Sequence, residues 1–300
     1  MAETGAWRQW PQVQQWRRHL MHERGLSSHT VEAYLRDLSR LARDHAAFAA
    51  GRWGEVHEAD LRDLLGRYFR QGLKPSSLSR WLSSVRAFYR WMERQGLCRQ
   101  NPAALLKPPR AGRNLPQVVD VDVIARLIDS LPDDEAGCRD RLILELFYGC
   151  GLRLSELAGL RREQLDFDNG EIRITGKGGK TRVVPFGGKA AEAARSWLAL
   201  RPGEGRQWLF PGRKHHLHPS TIQKMLARRA RQAGLWQHLH PHMLRHAFAT
   251  HLLQSSGNLR AVQLMLGHAS IGTTQVYTHL DFQHLMRVYE KTHPRAGKKD

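Results

Sequence analysis

Apolar residues in the first third of the chain recur at the three- and four-residue spacing that gathers them on one side of a helix. In SHTVEAYLRDLSRLARDH the positions Val31, Tyr34, Leu35, Leu38 and Leu41 share a face, and Ser28 is placed to accept a hydrogen bond from the first turn. An earlier helix is expected from Pro11, burying Val13, Trp16 and Leu20. A third carries Leu61, Leu64, Leu65 and Tyr68 and stops near Gly72. A fourth runs from about Ser76 to Gly96, with Leu78, Leu82, Val85, Tyr89 and Met92 inside and Arg80, Arg86, Arg90 and Arg94 on its other faces. Four amphipathic helices predict a small bundle.

Between Asn101 and Pro116 the stretch NPAALLKPPRAGRNLP holds four prolines, which break helix and stiffen the chain. The pattern therefore divides into a helical domain over 1–105, a linker over 106–116 and a second domain over 117–300. In the second, helices are expected at 120–131 and 139–149. The period then changes in QLDFDNGEIRITGKGGKTRVVPFG, where Asn169-Gly170 signals a hairpin and Gly176 to Lys180 the next turn. A three-stranded antiparallel sheet follows, after which helical spacing resumes to about Lys291. The fold class is mainly α with this one small sheet, and no internal repeat interrupts it.

Charge adds a partner to this outline. The 300 residues carry 47 Lys plus Arg against 28 Asp plus Glu, a net +19. Residues 1–110 hold 19 basic and 10 acidic side chains and residues 111–300 hold 28 and 18, so both bodies are basic, at +9 and +10. Two basic bodies point to a polyanion touched by each, with nucleic acid first; a solvated, Arg-rich surface is the bland alternative. Cys98, Cys138 and Cys150 lack metal-type spacing and are odd in number, which fits a reducing cytoplasm. No apolar run approaches the roughly 20 residues of a membrane span, and no leader is evident.

Five segments of the second domain set polar residues among apolar or glycine positions, where burial of an isolated polar group is costly. They are GCGLRLSEL with Arg153, GKGGK with Lys177, PHMLRHAFATHLL with His242 and Arg245, MLGHAS with His268, and TTQVYTHL with Tyr277. Each has an ordinary reading on its own. Arg153 can pair with Glu156 as a structural bridge, Lys177 can be a solvated turn charge, and His242 and Arg245 can be a helix-surface pair. His268 can cap a helix end after Gly267, and Tyr277 can be a core tyrosine.

Taken together, in this order and with these flanks, Arg153, Lys177, His242, Arg245, His268 and Tyr277 resemble the catalytic signature of the tyrosine recombinase family. The resemblance spans nearly the whole chain. It implies a four-helix core-binding domain and a catalytic domain forming a clamp around double-stranded DNA, with Tyr277 as the nucleophile.

The chemistry asks for these residue types in its own right. Phosphodiester transfer loads charge onto non-bridging oxygens, and two guanidiniums offer forked, permanently charged donors for it; Arg153 and Arg245 are the candidates. A phenol with a pKa near 10 needs a proton acceptor, the role assigned to His242. The departing 5′ oxygen needs a proton, which Lys177 can deliver from a turn that Gly176, Gly178 and Gly179 allow to bend. His268 would orient or donate to the phosphate. This scheme requires no metal and no cofactor, and no cluster of carboxylates of the two-metal kind is evident. The piece KHHLH, with His215, His216 and His218, is read as an exposed loop that could hold a stray divalent ion.

The closing segment, in which DFQHL follows the nucleophile, is similar to the paired, chromosome-encoded Xer recombinases of bacteria. That resemblance implies action in the cytoplasm at the nucleoid, on one half of a dif-like site beside a XerD-type partner, with an FtsK-type translocase as regulator and chromosome-dimer resolution as the outcome. A XerD-like role, a phage or mobile-element integrase and a type IB topoisomerase are the alternatives. The stripe Phe282, Leu285, Met286 and Tyr289 is then expected to dock on a neighbouring protomer, with a basic tail up to Lys299 behind it; spacing alone fits packing within the chain equally well.

Overall fold

The computed structural model describes residues 6–109, 119–176, 181–201, 207–213, 215–235, 239–267 and 279–296, the side chains of 279–284 excepted. The chain forms two compact units, Met1–Leu115 and Pro116–Asp300.

In the first unit α1 (Pro11–Arg18) continues as a π-helical turn over His19–Glu23 and is followed by α2 (Ser28–Asp44), a short α3 (Ala46–Ala49), α4 (Glu58–Arg70) and α5 (Pro75–Arg94). The four expected helices are all present. The cap of α2 is Ser27 rather than Ser28, its side chain accepting from the Thr30 N–H at 3.2 Å. The helix starts one residue earlier than a Ser28 cap requires, because Ser27 is the residue in extended backbone.

Every apolar position assigned to the inner face of α5 is buried. Phe88 meets Trp16 edge-on, with ring centroids 5.2 Å apart, and also packs on Phe48 and Trp53. Two of the α5 arginines are spent inside the unit. Arg80 forks onto the buried Asp37 of α2 at 2.9 and 3.1 Å, and Arg86 donates to the carbonyls of Ala103 and Leu106. Ala103 and Leu106 lie in this unit's core, so the chain stays packed on it as far as Leu106.

The second unit is built around α7 (Glu135–Tyr148), which is buried almost all round. The elements about it are α6 (Val121–Asp129), α8 (Leu154–Ala158), a sheet of β1 (Leu165–Asp166), β2 (Glu171–Thr175) and β3 (Thr181–Pro185), α9 (Gly188–Ala199), α10 (Pro219–Gln232), α11 (Pro241–Ser256), α12 (Leu259–Leu266) and α13 (His279–Thr292). The sheet is antiparallel in the order β1-β2-β3, as expected, and Gly170 supplies the positive φ of the first turn. In β2 and β3, Ile172 faces Val184 and Ile174 faces Arg182 on the buried side.

The C-terminal segment closes this core. Leu285 and Tyr289 of α13 are buried in the chain's own unit, where α13 packs on α11, β3 and α12. Nor is the segment behind them a solvated basic tail through its whole length. Arg295 is buried, donating to the Glu145 carboxylate of α7 and to Asp129 of α6. His293 stacks on Tyr289 and touches Tyr148 and Phe248, and its burial pulls the imidazole down to about 3, so it is neutral here. A basic residue near a chain end reads as solvated, yet the buried Glu145 can be charged only if a cation reaches it. The three cysteines are unpaired, and among the described residues no helix is long and apolar enough to cross a membrane.

Candidate active site

Arg153 comes to the site because the chain turns sharply before it. Gly151 has φ +61, and a Cβ there would lie 2.5 Å from Phe248, so a side chain would push α11 away. Arg153 then caps α8 in extended backbone. Its backbone N–H and its Nη1 both donate to Glu156, at 2.8 and 2.9 Å. The structural bridge considered for Arg153 is therefore real, but it uses one edge of the guanidinium. The side chain keeps 38% of its surface open, so the pairing leaves room for a phosphate.

Arg245 reaches the same place from α11. Its Nη1 donates to the Gly151 carbonyl and its Nη2 to the Leu266 carbonyl. Burial, and then the charges of Arg153 and Arg182, push its guanidinium down to about 10. It therefore remains a cation at neutral pH, and the shift records how strongly the pocket favours a compensating anion.

The end of α12 joins the arginines. A helix leaves its last carbonyls without intrahelical donors, and here three consecutive ones are taken by three guanidiniums. Met265 accepts from Arg182 Nε at 3.0 Å, Leu266 from Arg245 Nη2 at 2.5 Å and Gly267 from Arg153 Nη2 at 3.1 Å. Cations at a helix C-terminus also suit its dipole. Glu156 is the carboxylate among them. Burial raises it, but the hydrogen bonds and charge of Arg182, with those of Arg153, outweigh burial and hold it down to about 2. One anion against three cations leaves an excess of positive charge.

His242 lies on the first turn of α11, exposed and one turn before Arg245, with its ring centroid 6.3 Å from that of His240. Lys177, His268 and Tyr277 lie outside the described residues, as does Phe282 by its side chain. The structure thus brings Arg153 and Arg245 together and sets His242 on the same helix as Arg245. His216 and His218 of the KHHLH piece have local partners: His216 Nδ1 faces the Leu217 carbonyl, and His218 caps α10 by accepting from Ser220 N–H. Arg182 was not anticipated. Its signal was parity, since Arg182 shares the inward side of β3 with Val184.

The phage integrase family matches residues 117–284, and the phage integrase N-terminal SAM-like domain matches residues 13–96. The chain belongs to the phage integrase family. Among its relatives in that family, a tyrosine recombinase XerC of Azotobacter vinelandii is 49% identical over 290 residues, covering 94% of this chain and 95% of the relative. A tyrosine recombinase XerC of Xanthomonas campestris pv. campestris is 46% identical over 282 residues, covering 94% and 88%. A solved structure of the XerH site-specific recombinase bound to difH substrate, before cleavage, is 26% identical with a TM-score of 0.64, covering 91% of this chain and 83% of that one. The Tn1549 transposon integrase on DNA shares the fold, at 18% identity and a TM-score of 0.66, covering 91% and 98%. As a member of the phage integrase family with relatives at this identity over nearly its whole length, the chain is a DNA strand-exchange enzyme of the tyrosine recombinase type.

Proposed function

We propose that this chain is a XerC-type site-specific recombinase acting on double-stranded DNA, with Tyr277 as its nucleophile. The observation that carries the reading is the convergence of Arg153 and Arg245 on the end of α12, two residues before His268 in the case of Leu266 and one in the case of Gly267. Two cations fixed this way, in a pocket with an excess of positive charge, suit the non-bridging oxygens of a phosphodiester, whose charge grows in the transition state. Arg153 and Arg245 would hold that phosphate.

The Tyr277 oxygen would attack phosphorus, giving up its proton to His242. The bond from phosphorus to the 5′ oxygen would break, Lys177 protonating the leaving oxygen, to leave a 3′-phosphotyrosyl link and a free 5′ hydroxyl. His268 would orient the phosphate. Attack by the 5′ hydroxyl of a second strand reverses these steps and releases Tyr277, so phosphate-bond energy is conserved without a metal or cofactor. Identity near 49% to XerC proteins over most of the chain supports the finer role: one half of a dif-like site, a XerD-type partner in a heterotetramer, an FtsK-type translocase as regulator, and chromosome-dimer resolution at division, in the cytoplasm at the nucleoid. The two bodies would act as core-binding domain and catalytic domain about the linker. A C-terminal helix that meets a neighbouring protomer would do so with surface other than Leu285 and Tyr289, which are buried at home.

The test is recombination between two dif-like duplexes in excess chelator, with and without a XerD-type partner. Recombinants that need both proteins and form in EDTA are expected. Full recombination by this chain alone would support the phage-integrase alternative, and a requirement for magnesium would remove the role given to the cationic side chains.

A further inference from the structure

Arg182 is an arginine pointing into the core from the middle of a strand, 7% exposed, opposite Ile174. Such a charge is costly to bury unless something requires it there. Its Nη1 and Nη2 fork onto the two oxygens of Glu156 at 2.7 and 2.8 Å, and its Nε donates to the Met265 carbonyl at 3.0 Å. With its fork and its Nε engaged inside the unit, Arg182 is not placed to bind a phosphate itself. It touches what holds the arginines that are. The Glu156 oxygens that it grips also receive the Arg153 backbone N–H and Nη1, and the α12 end that it grips also receives Arg245 and Arg153. Gly267 permits this closeness, because its φ is +63 and a Cβ there would lie 2.8 Å from Arg182 Cδ.

We propose that Arg182 is a positioning residue of the strand-exchange site: it neutralises Glu156 and pins the end of α12, so that Arg153 and Arg245 keep their charge and geometry for the scissile phosphate. Without Arg182, Glu156 would have Arg153 as its remaining bidentate partner, drawing that guanidinium onto the carboxylate and cancelling its charge. The inference rests on the reading of Arg153 and Arg245 as phosphate ligands.

The test uses the full-length protein on a nicked suicide duplex carrying a half-site, reading half-site Kd, melting temperature and the single-turnover rate of covalent cleavage at saturating protein. Arg182→Met should cut the cleavage rate by roughly 100-fold, the scale of a 1 Å misplacement, with Kd held within about threefold because the remaining phosphate contacts are intact. The paired variant Arg182→Met/Glu156→Met separates positioning from architecture. Replacing a whole buried ion pair by apolar groups is often neutral for stability, so this variant should melt near the parent, and because the carboxylate that would draw off Arg153 is gone it should cleave faster than Arg182→Met. A paired variant that melts near the parent yet cleaves no faster than Arg182→Met would overturn the inference, since an unneutralised Glu156 would then not be what disables Arg153. Loss of its melting transition, or equal losses of binding and cleavage in Arg182→Met, would overturn it too. Arg153→Ala alone keeps the two readings apart: if it cleaves normally, the phosphate-ligand assignment fails irrespective of Arg182.

Discussion

Arg153→Lys should bind its half-site almost as the parent does and cleave it about 100-fold more slowly, the scale seen when one preorganised donor to a developing oxyanion is lost. The charge survives this change, so a purely Coulombic role would survive with it. What disappears is the fork. In the structure Nη1 holds Glu156 and Nη2 holds the Gly267 carbonyl, which sets the plane of the guanidinium while leaving part of it open. A lysine ammonium is a point donor on a flexible stem and cannot keep two anchors while presenting parallel N–H groups to a phosphate. Single-turnover cleavage and half-site affinity, measured together, decide the matter. Near-normal cleavage would mean that Arg153 serves the Glu156 bridge alone.

Removing residues 285–300 should unfold the catalytic unit. Leu285, Tyr289 and Ala296 leave the core, the His293 ring leaves Tyr148 and Phe248, and Glu145 is left buried without Arg295. Breaking a buried ion pair by removing one partner costs about 3–5 kcal/mol, and deleting a buried large aromatic side chain costs about as much again. Against a total stability of about 5–15 kcal/mol, the unit has little left. Hydrogen exchange on peptides from α7 and α11 should show protection lost, with Arg295→Met giving a partial loss in the same peptides. A truncated chain whose α7 and α11 stay protected would show that α13 is dispensable to its own unit, and would return its apolar stripe to a neighbouring protomer.

The truncation shows what hydrophobic spacing does and does not contain. Periodicity located α2, α4 and α5, because each buries one face against its own unit, and turn residues with a change of period located the hairpins, since both signals are local. The same spacing marked Phe282, Leu285, Met286 and Tyr289 as a stripe without saying whose core receives it. Only the long-range partners, Glu145 and Asp129 for Arg295 and Tyr148 for His293, place the segment in its own unit. None of these pairings leaves a trace in spacing. Arg153 and Arg245 were legible because polar groups stood in glycine-rich or apolar surroundings. Glu156 was legible only as a bridge partner. Arg182 passed as one more charge after a turn, although in TRVVP it takes the inward parity of Val184. The shared end of α12 is tertiary, made by residues as far apart as Arg153 and Gly267, and no sequence window holds both.

The central claim is that Tyr277 carries the DNA. A suicide duplex nicked close to the cleavage point loses the short 5′ strand after attack and traps the covalent complex, which is then digested and mapped by mass spectrometry. The account predicts a 3′-phosphotyrosyl link on the peptide containing Tyr277, formed in the presence of chelator, and no covalent product from Tyr277→Phe although that variant still binds the half-site. A covalent adduct on any other residue, or a trapped complex from Tyr277→Phe, would contradict it.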